Sequence, residues 1–207
     1  MNYLLPFLVI AGIHLLAVIS PGPDFAIVTK NSLLYSRRVG IMTALGVAIG
    51  IIIHVTYSLL GVGLLIAQSI LLFSIIKYIG AAYLIYIGIQ ALRSRPHTDA
   101  IVESEQKNVS YRKAFANGFL TNALNPKATL FFLALFTQVI DPTTPLVIQG
   151  LYGLEMVMIT FVWFSFLALM LSSPIIKSRI VKVQHHVEHI TGVALIALGI
   201  KVALSHK

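Results

Sequence analysis

The chain has 207 residues, 57% of them hydrophobic and 11% charged, with a mean hydropathy of +0.90. Soluble domains carry about a quarter charged residues, so this composition excludes an ordinary soluble protein and predicts an all-α integral membrane protein. The absence of cysteine excludes disulfides, thiolate metal sites and thiol redox chemistry, and the formal charge of +8 lies between apolar segments rather than on an aromatic-basic face, which excludes a nucleic-acid partner.

A membrane span needs about 20 mostly apolar residues. In chain order the expected spans are 4–28, 39–66, 70–92, 113–140, 146–172 and 187–204. No separate soluble domain is expected beside them. Met1-Asn2-Tyr3 offers no basic n-region and Ile19-Ser20-Pro21 is a poor cleavage site, so the first segment is expected to be a retained span rather than a signal peptide. The polar stretch 93–112 reads as a cytoplasmic linker between two three-helix units, 1–92 and 113–207.

The first span is interrupted by Ser20-Pro21-Gly22-Pro23-Asp24 and the fourth by Asn125-Pro126-Lys127. Proline has no N–H to donate, and an unsatisfied carbonyl in hydrocarbon costs several kcal/mol. Such breaks persist only where protein or a water-lined cavity covers the freed backbone, and broken membrane helices typically build substrate sites. Proline favours the first helical position and asparagine the N-cap, so new half-helices are expected to start at Pro23 and Pro126. A half-helix N-terminus presents free N–H groups and partial positive charge, which favour an anion such as a carboxylate. Lys127 adds to that attraction, while Asp24 suits an ammonium or a transported proton. The breaks therefore predict a transporter site for a zwitterion, using Pro21, Gly22, Pro23, Asp24, Asn125, Pro126 and Lys127. The alternative is that Asp24 and Lys127 simply pair and hold two helices together.

Other polar groups in the spans have competing readings. His14 and His54 lie in spans one and two; a lone transmembrane histidine more often makes a structural hydrogen bond, but His54 is kept with Asp24 and Glu155 as a proton-coupling candidate. Glu155, the carboxylate of span five, either relays protons or snorkels to the interface. Asn117, Thr121 and Asn125 form an i, i+4, i+8 stripe that either lines the pathway or joins helices. Gly46-(x3)-Gly50 is expected to allow close helix packing. Tyr57, Tyr78, Tyr83, Tyr86 and Trp163 read as packing or interfacial-belt residues, with Trp163 too deep for a belt. His185 and His189 of His185-His186-Val187-Glu188-His189 share a helical face. Two nitrogen ligands at a basic loop are too few for a metal, so neither a metal site nor a cofactor is expected. No Ser-His-Asp order, paired-carboxylate spacing, phosphate loop or H-E-x-x-H motif points to an enzyme.

Eleven Lys and Arg fall in three loops on one side of a six-span chain: Lys30, Arg37 and Arg38; Arg93, Arg95, Lys107, Arg112 and Lys113; Lys177, Arg179 and Lys182. Only Lys77, Lys201 and Lys207 fall opposite, so both termini are expected to face outward. Ile79-(x4)-Leu84-Ile85-(x2)-Gly88-Ile89 matches Ile190-(x4)-Leu195-Ile196-(x2)-Gly199-Ile200. With three spans per half, the second copy inserts upside down, which predicts two inverted repeats with broken helices one and four.

Ser20-Pro21-Gly22-Pro23-Asp24 and Asn122-Ala123-Leu124-Asn125-Pro126-Lys127 resemble the signature segments of the lysine-exporter (LysE) superfamily, in particular the homoserine/threonine resistance exporters. The second segment adds Asn122 to the expected site. The resemblance implies a multi-pass protein of the bacterial inner membrane that exports amino acids or close derivatives, threonine- or homoserine-like, by proton antiport. Export direction and energy source come from the resemblance alone. The implied partners are a small amino-acid substrate, protons and the lipid bilayer; the oligomeric state is open, a homodimer included. The alternative is a metal-ion exporter of the same superfamily and, less favoured, an intramembrane enzyme.

Overall fold

Pro23 and Pro126 each open a helix, as their preference for the first helical position predicts. The computed structural model describes residues 3–68, 70–93, 109–138, 143–171, 189–190, 192–197, 199–200 and 203–204. Within that set the regular elements are helices: α1 Leu4–Ile19, α2 Pro23–Leu34, α3 Arg37–Gln68, α4 Ile70–Arg93, α5 Tyr111–Ala123, α6 Pro126–Gln138 and α7 Leu146–Met170. Residues 192–197 are also helical.

The stretch Arg37–Leu60 and the helix Leu146–Met170 are each long and apolar enough to cross a membrane. The pairs α1–α2 and α5–α6 pass the same test as single broken spans, bent by 57° and 55°. The described residues thus hold two to four candidate spans. α4 covers the expected third span, with its apolar run at Tyr78–Gln90, while the expected sixth includes residues outside the described set, as does most of the 93–112 linker. Several charges expected in loops lie on helices instead. Lys30 is on α2, Arg37 and Arg38 open α3, and Arg112 and Lys113 open α5, all exposed. Lys and Arg are good helix formers, so a helix continues past its apolar length into the polar headgroup zone.

α3 is the central post, touching α2, α4, α5, α6 and α7. Its backbone meets that of α5: Gly46 lies against the Phe115 carbonyl and the Phe119 amide, and Gly118 against the Thr43 carbonyl. Any side chain at either glycine would run into main chain, so the close packing expected at Gly46 is present. Two apolar clusters flank this seam. One joins Ile10, Ile51, Leu84, Phe131, Phe132, Leu135, Tyr152 and Met156; the other joins Val28, Ala44, Val47, Phe164, Leu167 and Ala168. On α4, Gly88 meets the Gly192 carbonyl and Ile196, while Gly199 meets the Ala81 carbonyl and Ile85.

Candidate functional site

The two breaks meet, and each supplies what the other lacks. α1 ends at Ser20, whose N–H bonds the Leu16 carbonyl at 3.1 Å. The chain then bends away by 57°, so the carbonyls of the break have no intrahelical donors and need donors from elsewhere. Lys127, in the first turn of α6, provides them: its Nζ donates to Ser20 O at 3.3 Å and to Pro21 O at 3.1 Å. Gly22 is extended and lets the lysine lie close, since a Cβ there would stand 3.4 Å from Lys127 Cδ and Nζ.

The return contact runs from the first turn of α2. Asp24 Oδ2 accepts from Asn122 Nδ2 at 2.9 Å and from Asn125 Nδ2 at 3.1 Å. Asn125 also caps α6, its Oδ1 accepting the Lys127 N–H at 3.0 Å, so both ends of its carboxamide are committed. The Lys127 ammonium acts coulombically on the Asp24 carboxylate. A negative group at a helix N-terminus and a positive group at a helix carbonyl end are each favoured by the helix dipole. Asp24 and Lys127 occupy those two positions.

A cavity of about 50 Å³ opens at this junction, with room for a few waters or a small polar head group. Its polar lining comes from His14, Ser20, Asp24, Asn122, Asn125, Lys127 and Thr160, and its apolar walls include Phe131, Phe132 and Phe164. Three buried atoms of these polar residues have no hydrogen-bond partner: Asp24 Oδ1, Asn122 Oδ1 and His14 Nδ1. The two oxygens are acceptors only. His14 Nε2 faces Met156 O at 3.2 Å and Thr160 Oγ1 at 2.9 Å. A ring nitrogen facing a carbonyl carries the proton, so Nδ1 is an acceptor as well. Asp24 Oδ1 and His14 Nδ1 therefore call for donors, as an ammonium supplies, while Asn122 Oδ1 lies against Gly50 of α3.

His54 joins the same site through the backbone. Its Nε2 donates to Asn122 O at 2.9 Å, and its ring stacks on Phe132 with centroids 5.4 Å apart. Glu155 is half-buried on α7 with Oε2 unpartnered, and it is not among the residues lining the cavity. The stripe Asn117–Thr121–Asn125 is corrected. It presupposed an unbroken helix, but α5 ends at Ala123, and its buried face is Ala114, Gly118 and Asn122. Small residues win that face because α3 packs so near. His185, His186 and Glu188 lie outside the described residues.

Gly50 and Thr160 are site-supporting residues whose role the sequence did not disclose. A Cβ on Gly50 would stand 2.6 Å from Asn122 Oδ1, so only glycine leaves room for the carboxamide that holds Asp24. Gly50→Ala is expected to lower stability by about 1–3 kcal/mol, the usual result of overpacking. Thermal unfolding of the detergent-solubilised protein checks this, and an unchanged midpoint contradicts it.

Two bent apolar helix pairs whose breaks exchange charged side chains around a cavity have the form of a membrane transporter's substrate site. Residues 15–206 match the LysE type translocator family, and the chain belongs to that family. It is 33% identical to the uncharacterized membrane protein YrhP of Bacillus subtilis, covering 99% of this chain and all of that one. It is 29% identical to the threonine efflux protein of Escherichia coli K12, covering 98% and 99% of the two chains. A leucine efflux protein of Salmonella choleraesuis is 35% identical across 62% of this chain and 60% of its own. No solved structure matches.

Proposed function

We propose that this translocator exports amino acids, threonine- or homoserine-like, and their close derivatives across the bacterial inner membrane by proton antiport. The observation that carries the reading is the Asp24 carboxylate, fixed by two carboxamides through one oxygen, with its other oxygen unpartnered where two broken helices meet. Asp24, held by Asn122, takes the substrate ammonium. Lys127 and the α6 N-terminus at Asn125–Pro126 take the carboxylate, a stronger acceptor for the lysine than the two carbonyls it now holds. Pro21, Gly22 and Pro23 keep the α1 end open for that exchange. Asp24 and His54, with Glu155 further out, are the proton carriers. The full-length relative named a threonine efflux protein supports the substrate class.

The architecture that goes with this function is six spans in two inverted three-helix repeats, 1–92 and 113–207. Its support is the near-equal bends of 57° and 55° and a reciprocal contact pattern. Gly88 meets Ile196 as Gly199 meets Ile85, which are corresponding positions in the two copies of the repeat. The basic loops orient both termini to the periplasm. Reporters at the C-terminus and near residue 142 are expected outside and one near residue 100 inside; a cytoplasmic C-terminus sinks this architecture.

The test of function is flux in proteoliposomes under an imposed pH gradient, with radiolabelled threonine, homoserine, leucine and lysine. Gradient-stimulated flux of the neutral amino acids is expected. No flux of any of them overturns the assignment.

A further inference from the structure

The α5–α6 break is held from outside the cavity by α3, and one side chain there has a single proton to divide between two partners. His54 Nε2 donates to Asn122 O in the last turn of α5. Three residues on, Tyr57 OH lies 2.7 Å from His54 Nδ1 and 3.4 Å from Thr129 O of α6. With His54 neutral, Nδ1 is an acceptor and the tyrosine proton belongs to it. The 3.4 Å contact to Thr129 O is then beyond the ordinary range for a hydroxyl donor.

We propose that His54 and Tyr57 form a proton-operated clamp across the α5–α6 break. The proposal rests on the antiport reading above and assigns the coupling to these two residues. An incoming proton binds the Nδ1 lone pair, and N–H now points at the tyrosine oxygen. Tyr57 keeps its own proton, rotates about its C–O bond and donates to Thr129 O. The charged imidazole also strengthens its bond to Asn122 O. Both sides of the break are thereby drawn to α3, and Asn122 is the residue whose carboxamide holds Asp24. The tyrosine proton therefore has one acceptor in each protonation state, His54 Nδ1 in the neutral form and Thr129 O in the charged form.

The charged and titratable surroundings are defined. The charged groups at the break are Asp24 of α2, joined to it through Asn122, and Lys127 of α6, which donates to the Ser20 and Pro21 carbonyls. His14 of α1 lies across Phe132, with ring centroids 5.7 Å apart. α4 contributes Tyr83 and α7 contributes Tyr152 to the apolar cluster that includes Phe132, and α7 also carries Glu155, while its cavity-lining residues Thr160 and Phe164 do not titrate.

The test separates coupling from transport in proteoliposomes holding wild type, Tyr57→Phe or His54→Gln, with radiolabelled threonine and leucine as probes. Two rates are read: exchange at equal pH on both sides, and flux driven by a pH gradient. Tyr57→Phe is expected to keep exchange within about twofold while gradient stimulation falls about tenfold, within the usual range of coupling free energies. His54→Gln is expected to flatten the pH profile in the same way. A Tyr57→Phe protein with wild-type gradient stimulation, or with exchange and stimulation falling together, overturns the clamp alone. A wild type that exchanges substrate without gradient stimulation overturns the antiport reading, and the clamp with it. A wild type that exchanges neither probe overturns the export reading for these substrates.

Discussion

Asp24→Asn is expected to abolish efflux while the protein still folds and inserts. The substitution keeps the shape of the side chain and one acceptor oxygen, so the bonds from Asn122 and Asn125, at 2.9 and 3.1 Å, remain available. What changes is the other atom. The unpartnered Oδ1 becomes an NH₂ group, so an acceptor at the cavity is replaced by a donor, and the negative charge disappears. Losing one member of a buried, hydrogen-bonded charge pair costs about 2–5 kcal/mol. A substrate ammonium would thus bind about thirtyfold more weakly, or worse. Because the break is still bridged, the thermal midpoint of the purified protein should stay close to wild type. Efflux at the wild-type rate from Asp24→Asn would remove Asp24 from the site.

The breaks were legible because proline and asparagine act locally: a missing N–H and a short capping side chain fix where α2 and α6 begin, whatever the surroundings. The meeting of the two breaks followed from the cost of charge in hydrocarbon. The partners did not follow. Opposite signs at matching positions suggested that Asp24 and Lys127 attend to one another or to a substrate. The structure adds direct partners to these, two carboxamides for Asp24 and the carbonyls of Ser20 and Pro21 for Lys127. Counting prolines would not have pointed there, because the i→i−4 acceptors that Pro21 and Pro23 leave without a donor are the Ala17 and Ile19 carbonyls. Helix rotation was hidden as well, since the facing of α5 depends on how near α3 comes. That distance is set by Gly46 and Gly118 together, in segments far apart in sequence. Tyr57 passed for a packing residue because its role depends on the Thr129 carbonyl of another helix.

Lys127→Met is expected to abolish efflux and, unlike Asp24→Asn, to lower stability. The methionine fills much of the lysine's volume but donates nothing, so Ser20 O and Pro21 O lose the bonds now 3.3 and 3.1 Å long. Each buried carbonyl left unsatisfied costs about 1–3 kcal/mol. Removing a charge from a buried site often relieves desolvation, which alone would raise stability. Here the two orphaned carbonyls outweigh that gain. Lys127→Arg keeps the donors and should retain the fold, with transport impaired because a guanidinium is wider than an ammonium. The double variant Asp24→Asn with Lys127→Met distinguishes a substrate site from a helix clasp. If the two charges serve only each other, each single variant strands a charge, and the double regains both folded yield and transport. If they serve a substrate and the α1 carbonyls, the double stays inactive and no more stable than Lys127→Met. Solubilised yield, thermal midpoint and efflux of the singles and the double decide the matter, and recovered efflux in the double leaves Asp24 and Lys127 as a clasp.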